Sequence, residues 1–146
     1  MKPDNYIKIE FPSRSANEGF ARAAVACFFA QLDPTLDEMG DVRTAVSEAV
    51  TNCIVHAYPD SIGKITLTAK LFPEGVLEIT VRDSGVGIAN IDQAREPMFT
   101  TGGEERSGMG FTIMESFMDT LRVRSTPGRG TCVTMRRKVR RRGNIK

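Results

Sequence analysis

Val76-Leu77-Glu78-Ile79-Thr80-Val81-Arg82-Asp83-Ser84-Gly85-Val86-Gly87 joins an alternating apolar run to an acidic, glycine-rich turn. Successive side chains of an extended chain point to opposite faces, so Leu77, Ile79 and Val81 share one face and Asp83 has the same parity. If the strand continues that far, the carboxylate is aimed toward the interior instead of toward bulk water. There it is placed to accept a hydrogen bond from an exocyclic amine such as adenine offers. Gly85 and Gly87 permit backbone positions that a side chain obstructs, including close approach to a planar base. Asp-x-Gly-x-Gly alone is commonly a simple turn. Here it ends an apolar strand and precedes a long loop, the context that a pocket wall requires.

Upstream, residues 64–72 predict a strand, and Pro73-Glu74-Gly75 turns it into the run above. Tyr6-Ile7-Lys8-Ile9-Glu10-Phe11 alternates and predicts a first strand. Ser15 with Glu18 three residues on resembles a capping box, opening a helix to about Leu32 that buries Phe20, Ala24, Cys27 and Phe28. Asp33-Pro34 restarts the chain. Gly40 is a candidate interruption, but Val42, Val46, Ala49, Cys53 and Ala57 recur at helical spacing up to Pro59. Downstream, residues 88–108 keep no steady period. A loop of about 20 residues inside a domain is expected of a lid or binding loop, with room for a short helix. Residues 111–118 then predict a short amphipathic helix, and residues 121–125 and 131–136 a final pair of strands. Two helical blocks, each followed by a strand pair, favour a two-layer α/β sandwich with helices on one face of a mixed β-sheet.

The chain has 146 residues, enough for one domain, with 26% charged and 40% hydrophobic residues and a net charge of +2. No apolar stretch approaches the roughly 20 residues of a spanning helix, and no signal-peptide core opens the chain, so a cytoplasmic protein without membrane contact is expected. Cys27, Cys53 and Cys132 lack the paired spacing of a zinc site, and Cys27 and Cys53 read as small core residues. The basic run from Arg136 reads as a solvated tail over residues 137–146. Its alternative reading, a nucleic-acid contact, lacks the interleaved exposed aromatic residues of a stacking surface.

Glu48 and Asn52 lie four apart on the long helix and therefore on one face, bordering its apolar stripe. A carboxylate there can take a proton or orient a hydroxyl, and an Asn carbonyl oxygen is a neutral, hard ligand suited to magnesium bridged by phosphates. Gly108-Met109-Gly110 leads into the next helix, where free backbone N–H groups favour phosphate oxygens. Arg106 and Ser107 are adjacent candidates for phosphate contact. His56, the single histidine, follows Asn52 by one turn and reads as structural or as a pocket-rim residue. Thr131 has a hydroxyl that could reach a base or simply face solvent. No Gly-x-x-x-x-Gly-Lys-Ser/Thr or His-Arg-Asp is present, which excludes P-loop and protein-kinase-type sites.

The segments VSEAVTNCIVHAY, VRDSGVGI, FTTGGEERSGMGFTIMESFMD and STPGRGT resemble the ATP-binding (Bergerat) fold shared by gyrase, Hsp90, sensor histidine kinases and MutL. Within that superfamily the chain is most similar to the anti-sigma serine kinases of sporulation, from about Tyr6 to Met135. The resemblance implies an ATP-binding kinase domain over residues 1–136, with ATP or ADP and Mg2+ as cofactors. It makes Glu48 the catalytic base or hydroxyl-orienting group, Asn52 the magnesium ligand, Asp83 the adenine reader with Gly85 and Gly87 beside the base, and Thr131 a further adenine contact. Thr100, Thr101, Arg106, Ser107, Gly108, Met109 and Gly110 belong to the lid over the phosphates. Arg22 resembles an arginine that contacts protein partners. The partners implied are a sporulation sigma factor, a small anti-anti-sigma protein phosphorylated on serine, and a second copy in a homodimer. Two alternatives use the same residues: a non-catalytic, nucleotide-dependent sigma-binding switch, and a stress-response anti-sigma kinase. The chain departs from the family in carrying Gly102-Gly103 where a lysine often follows the paired threonines, and Ala57 where a glycine usually follows the histidine.

Overall fold

Strand β3 (Val76–Asp83) is the middle strand of a five-stranded sheet ordered β1-β2-β3-β5-β4. The structure is a computed structural model and describes residues 1–95 and 110–140. In chain order the elements are β1 (Asn5–Pro12), α1 (Ala16–Phe29), α2 (Leu36–Asn52), β2 (Lys64–Phe72), β3, α3 (Ile91–Ala94), α4 (Gly110–Phe117), β4 (Thr120–Thr126) and β5 (Gly130–Lys138). A single 3-10 turn, Ala30–Leu32, follows α1. Among the described residues no helix is long and apolar enough to cross a membrane.

Every neighbouring pair of strands is antiparallel, so the expectation of a mixed sheet is corrected. The reason lies in the last hairpin. β4 follows α4 and runs in the same direction as β3, as a crossover connection predicts. It lands at the sheet edge, however, and β5 folds back into the space between the two. The two-layer arrangement is as expected. Ile65, Leu67, Leu77, Ile79, Val81 and Met135 are fully buried on one face of the sheet, against Val25, Phe29, Val42, Val46, Val50 and Met114 of the helices. Burying each such side chain contributes about 1.5–3 kcal/mol. Thr66, Thr68, Thr80 and Thr134 alternate with these residues and face the other side.

Two local expectations are corrected. α1 buries Ala21, Val25, Phe28 and Phe29, whereas Phe20 is 60% exposed and Cys27 is exposed. The helix is apolar nearly all round, so two stripes offset by one residue satisfy the same period. Ser15 makes no side-chain cap; the capping box forms instead at α2, where Thr35 accepts from the Glu38 amide and Glu38 accepts from the Thr35 amide. Thus capped, α2 passes Gly40 without a break.

At its far end α2 widens into a π-helical turn, Cys53–Ala57, closed by the Tyr58 amide donating to the Cys53 carbonyl at 3.2 Å. Such turns change the direction of successive side chains relative to a regular helix. The end of β5 is tied to the opposite end of α2. Arg137 pairs with Asp41 at 3.0 Å, and the Arg140 amide donates to the buried Glu38 carboxylate at 2.7 Å.

Candidate functional site

α2 and the first residue of α4 form one wall. Glu48 and Asn52 stand a turn apart on α2, and Gly110 lies against both. A Cβ at Gly110 would come within 3.1 Å of Asn52 Oδ1, 3.2 Å of Asn52 Nδ2 and 3.4 Å of Glu48 Oε2. The absent side chain lets the start of α4, where backbone N–H groups have no partner within the helix, sit directly over the carboxylate and the amide.

The ends of β3 and β5 form the second wall. Asp83 is buried, 6% exposed, on the core face with Leu77, Ile79 and Val81, as its parity predicts. Its Oδ1 accepts from the Gly85 amide at 2.9 Å and from the Thr131 amide at 3.2 Å. Its Oδ2 accepts from the Cys53 thiol at 3.5 Å. The turn that follows is laced to its surroundings: the Val86 amide donates to the Ala57 carbonyl at 3.0 Å and the Gly128 amide to the Val86 carbonyl at 2.7 Å. Gly85 and Gly87 make this approach feasible, since a Cβ on Gly85 would stand 2.2 Å from the Ala57 carbonyl oxygen and one on Gly87 2.4 Å from that of Thr126.

The π turn joins the walls. It follows Asn52 directly, and its first residue, Cys53, reaches Asp83. Burial pushes the Cys53 thiol well above its ordinary range, and the adjacent Asp83 charge and hydrogen bond push it further, so the group stays a protonated donor. Tyr58, just beyond, accepts from the Ser84 amide at 2.7 Å and donates to the Lys64 carbonyl at 2.7 Å, fixing the backbone after Asp83. Burial raises its pKa as well.

A cleft of about 310 Å³ opens between α1 and α2, lined by Arg22, Gly40, Arg43, Thr44, Ser47 and Glu48. Arg22 is held there by Glu18 at 3.4 Å, and Glu18 in turn accepts from the Ser47 hydroxyl at 2.9 Å. Glu48 therefore borders both the cleft and the wall formed with α4.

The structure brings Glu48, Asn52 and Gly110 together, and Asp83, Gly85, Gly87 and Thr131 together, with Arg22 facing the cleft. Thr131 joins through its amide, while its hydroxyl is 2.8 Å from that of Ser125. His56 lies half-buried in the π turn. Thr100, Thr101, Arg106, Ser107, Gly108 and Met109 lie outside the described residues. Sequence reasoning missed Cys53, read as an ordinary core residue, together with Tyr58, Ser125 and the cleft residue Arg43. For Cys53 the available signal was its place directly after Asn52.

Residues 11–137 match the histidine kinase-like ATPase domain family. The chain is 52% identical over 142 residues to the anti-sigma F factor of Caldanaerobacter subterraneus subsp. tengcongensis, covering 97% of this chain and 99% of that protein. It is 55% identical over 137 residues to the anti-sigma F factor of Thermoanaerobacter pseudethanolicus, covering 92% and 94%. Among solved structures, the RsbU and RsbW domains of a Mycobacterium tuberculosis protein superpose with a TM-score of 0.67 at 19% identity, over 94% of this chain and 32% of that one. The mycobacterial sensor histidine kinase MprB does so with a TM-score of 0.58 at 16% identity, over 92% and 99%. These two likenesses concern the fold.

Proposed function

Because the chain belongs to the histidine kinase-like ATPase family, alongside the anti-sigma F factors, we propose that it is an anti-sigma factor that also transfers the γ-phosphoryl group of ATP to a serine of a small anti-anti-sigma protein. The observation that carries the reading is the double exposure of Glu48. It borders the α1–α2 cleft, which Arg22 also lines and which a protein partner would enter, and it lies against Gly110, where phosphates would meet the start of α4.

On this reading Asp83 accepts a hydrogen bond from the exocyclic amine of adenine while its other contacts hold it in place. Asn52 offers a neutral amide oxygen beside the open backbone of Gly110, a donor suited to Mg2+ that takes most of its ligands from phosphates and water. When bound, that ion neutralises charge on the phosphates. The serine oxygen attacks the γ-phosphorus, the bond to the ADP oxygen breaks, and Glu48 takes the serine proton. The protein contributes chiefly by positioning and by fixed dipoles. Sigma-factor binding uses the same partner face at Arg22. The outer side of α1, with Phe20 and Cys27 exposed, supports a homodimer.

The test is transfer from γ-labelled ATP to a purified anti-anti-sigma protein. Glu48→Gln is expected to bind ATP within about twofold of the parent and to lose transfer by about 100-fold or more. Equal transfer rates in the two proteins remove Glu48 from the chemistry. Tight ATP binding by the parent without any transfer favours a non-catalytic sigma-binding switch.

A further inference from the structure

We propose that Cys53 is a positioning residue for base recognition: its thiol occupies one lone pair of Asp83 Oδ2, leaving that carboxylate one open acceptor site for the exocyclic amine of a 6-aminopurine. The inference rests on the reading of Asp83 as the base-contacting residue and adds a second residue that acts through it.

The argument is an accounting of acceptor sites. A carboxylate has about four, two on each oxygen. The Gly85 and Thr131 amides fill both on Oδ1, at 2.9 and 3.2 Å. Cys53 fills one on Oδ2 at 3.5 Å, a length appropriate to a sulfur donor. Cys53 is 4% exposed and Asp83 6% exposed, so water does not readily replace a lost thiol. The neighbouring donors are committed elsewhere: the Ser84 amide goes to Tyr58, and the Tyr58 hydroxyl goes to Lys64. Removing the thiol therefore leaves Oδ2 with a second open site and one fewer restraint on the plane of the carboxylate. A buried acceptor left in that state is costly, and its orientation toward the ligand is relaxed. Cys53 keeps the regular geometry of α2, its amide donating to the Ala49 carbonyl, so the helix itself directs the thiol to the core face that Asp83 shares.

Two nucleotides separate this role from a merely structural one: ATP, and purine riboside triphosphate, which lacks the 6-amino group. In calorimetric titrations of the full chain with each, Cys53→Ala is expected to weaken ATP binding about three- to tenfold, the worth of one hydrogen bond. The same variant should change purine riboside triphosphate binding less than twofold. Cys53→Ser, which retains a donor, restores ATP affinity to within about twofold of the parent. Cys53→Val, apolar and close in volume, repeats the alanine result and covers the case of an alanine variant that does not fold. Equal weakening toward both nucleotides, or unchanged ATP affinity in the alanine and valine variants, overturns the proposal while leaving the kinase reading intact. A parent protein that binds both nucleotides equally well overturns it together with the assignment of Asp83 as base reader.

Discussion

Gly130 begins β5 at φ +112°, and a Cβ there would stand 2.1 Å from the Asp83 carbonyl oxygen. Gly130→Ala therefore combines an unfavourable backbone conformation with a clash against backbone atoms that have no freedom to move away. The expected outcome is a loss of about 2–4 kcal/mol in urea unfolding. ATP binding should weaken at the same time, because the adjacent Thr131 amide is displaced from Asp83. Wild-type affinity in a folded Gly130→Ala protein counts against the Thr131 contact. At this scale Glu48, Asn52 and Asp83 were legible: a spacing of four on a helix and a parity of two on a strand each fix a direction. Cys53 was legible in part: its spacing with Val42, Val46 and Ala49 put it on the buried face of α2, where it lies, but a helical period marks a face and not the carboxylate of another element that the thiol meets there.

Helix α2 has the same kind of start signal that α1 displays in sequence, yet only one of the two forms. Ser15 and Glu18 match the capping pattern as well as Thr35 and Glu38 do, but Ser15 has helical backbone angles, φ −57° and ψ −32°, whereas Thr35 has the extended ones of a cap, and the Glu18 carboxylate turns to Ser47 and Arg22. The path by which the chain enters the helix thus separates the two, and the four-residue pattern does not record that path. The face of α1 was misread for a related reason, since two adjacent apolar stripes were available and packing against α2 selected one. Glu38 provides a test of the box that did form. Burial by itself raises the Glu38 pKa, but hydrogen bonds from Thr35 and from the Arg140 amide, with the Arg137 charge nearby, outweigh it and hold the group below its ordinary value. A depressed carboxyl contributes stability that is complete above the unfolded-state pKa of about 4.3 and is lost as pH falls through the folded value. Glu38→Gln should therefore be less stable than the parent at pH 7, by about 1 kcal/mol or more, with the gap closing as urea melts are repeated toward pH 3. A gap that stays constant over that range removes the ionised form from the explanation.

Across the whole molecule, the proposed function makes partner and nucleotide meet at one side chain. Arg22 and Glu48 line the same cleft, and Gly110 also lies against Glu48. Arg22→Glu is accordingly expected to weaken partner binding by tenfold or more, the loss typical of a central charged contact, while ATP affinity stays within twofold. Surface-immobilised sigma factor and calorimetry with ATP measure the two separately, and a parallel fall in both contradicts the separation. The two layers were legible from the order of helical and strand segments. The antiparallel sheet was not, because a strand's neighbours depend on where a hairpin inserts, and β5 occupies the place that a simple crossover would have given to β4. That insertion also sets a timetable for biosynthesis. One of the amides that hold Asp83 belongs to a residue 48 positions later, so a polypeptide emerging from the ribosome carries Glu48, Asn52 and Asp83 long before that contact can form. If Asp83 reads the base as proposed, prematurely terminated chains ending short of Gly130 are expected to be blind to ATP, whatever else of the sequence they contain.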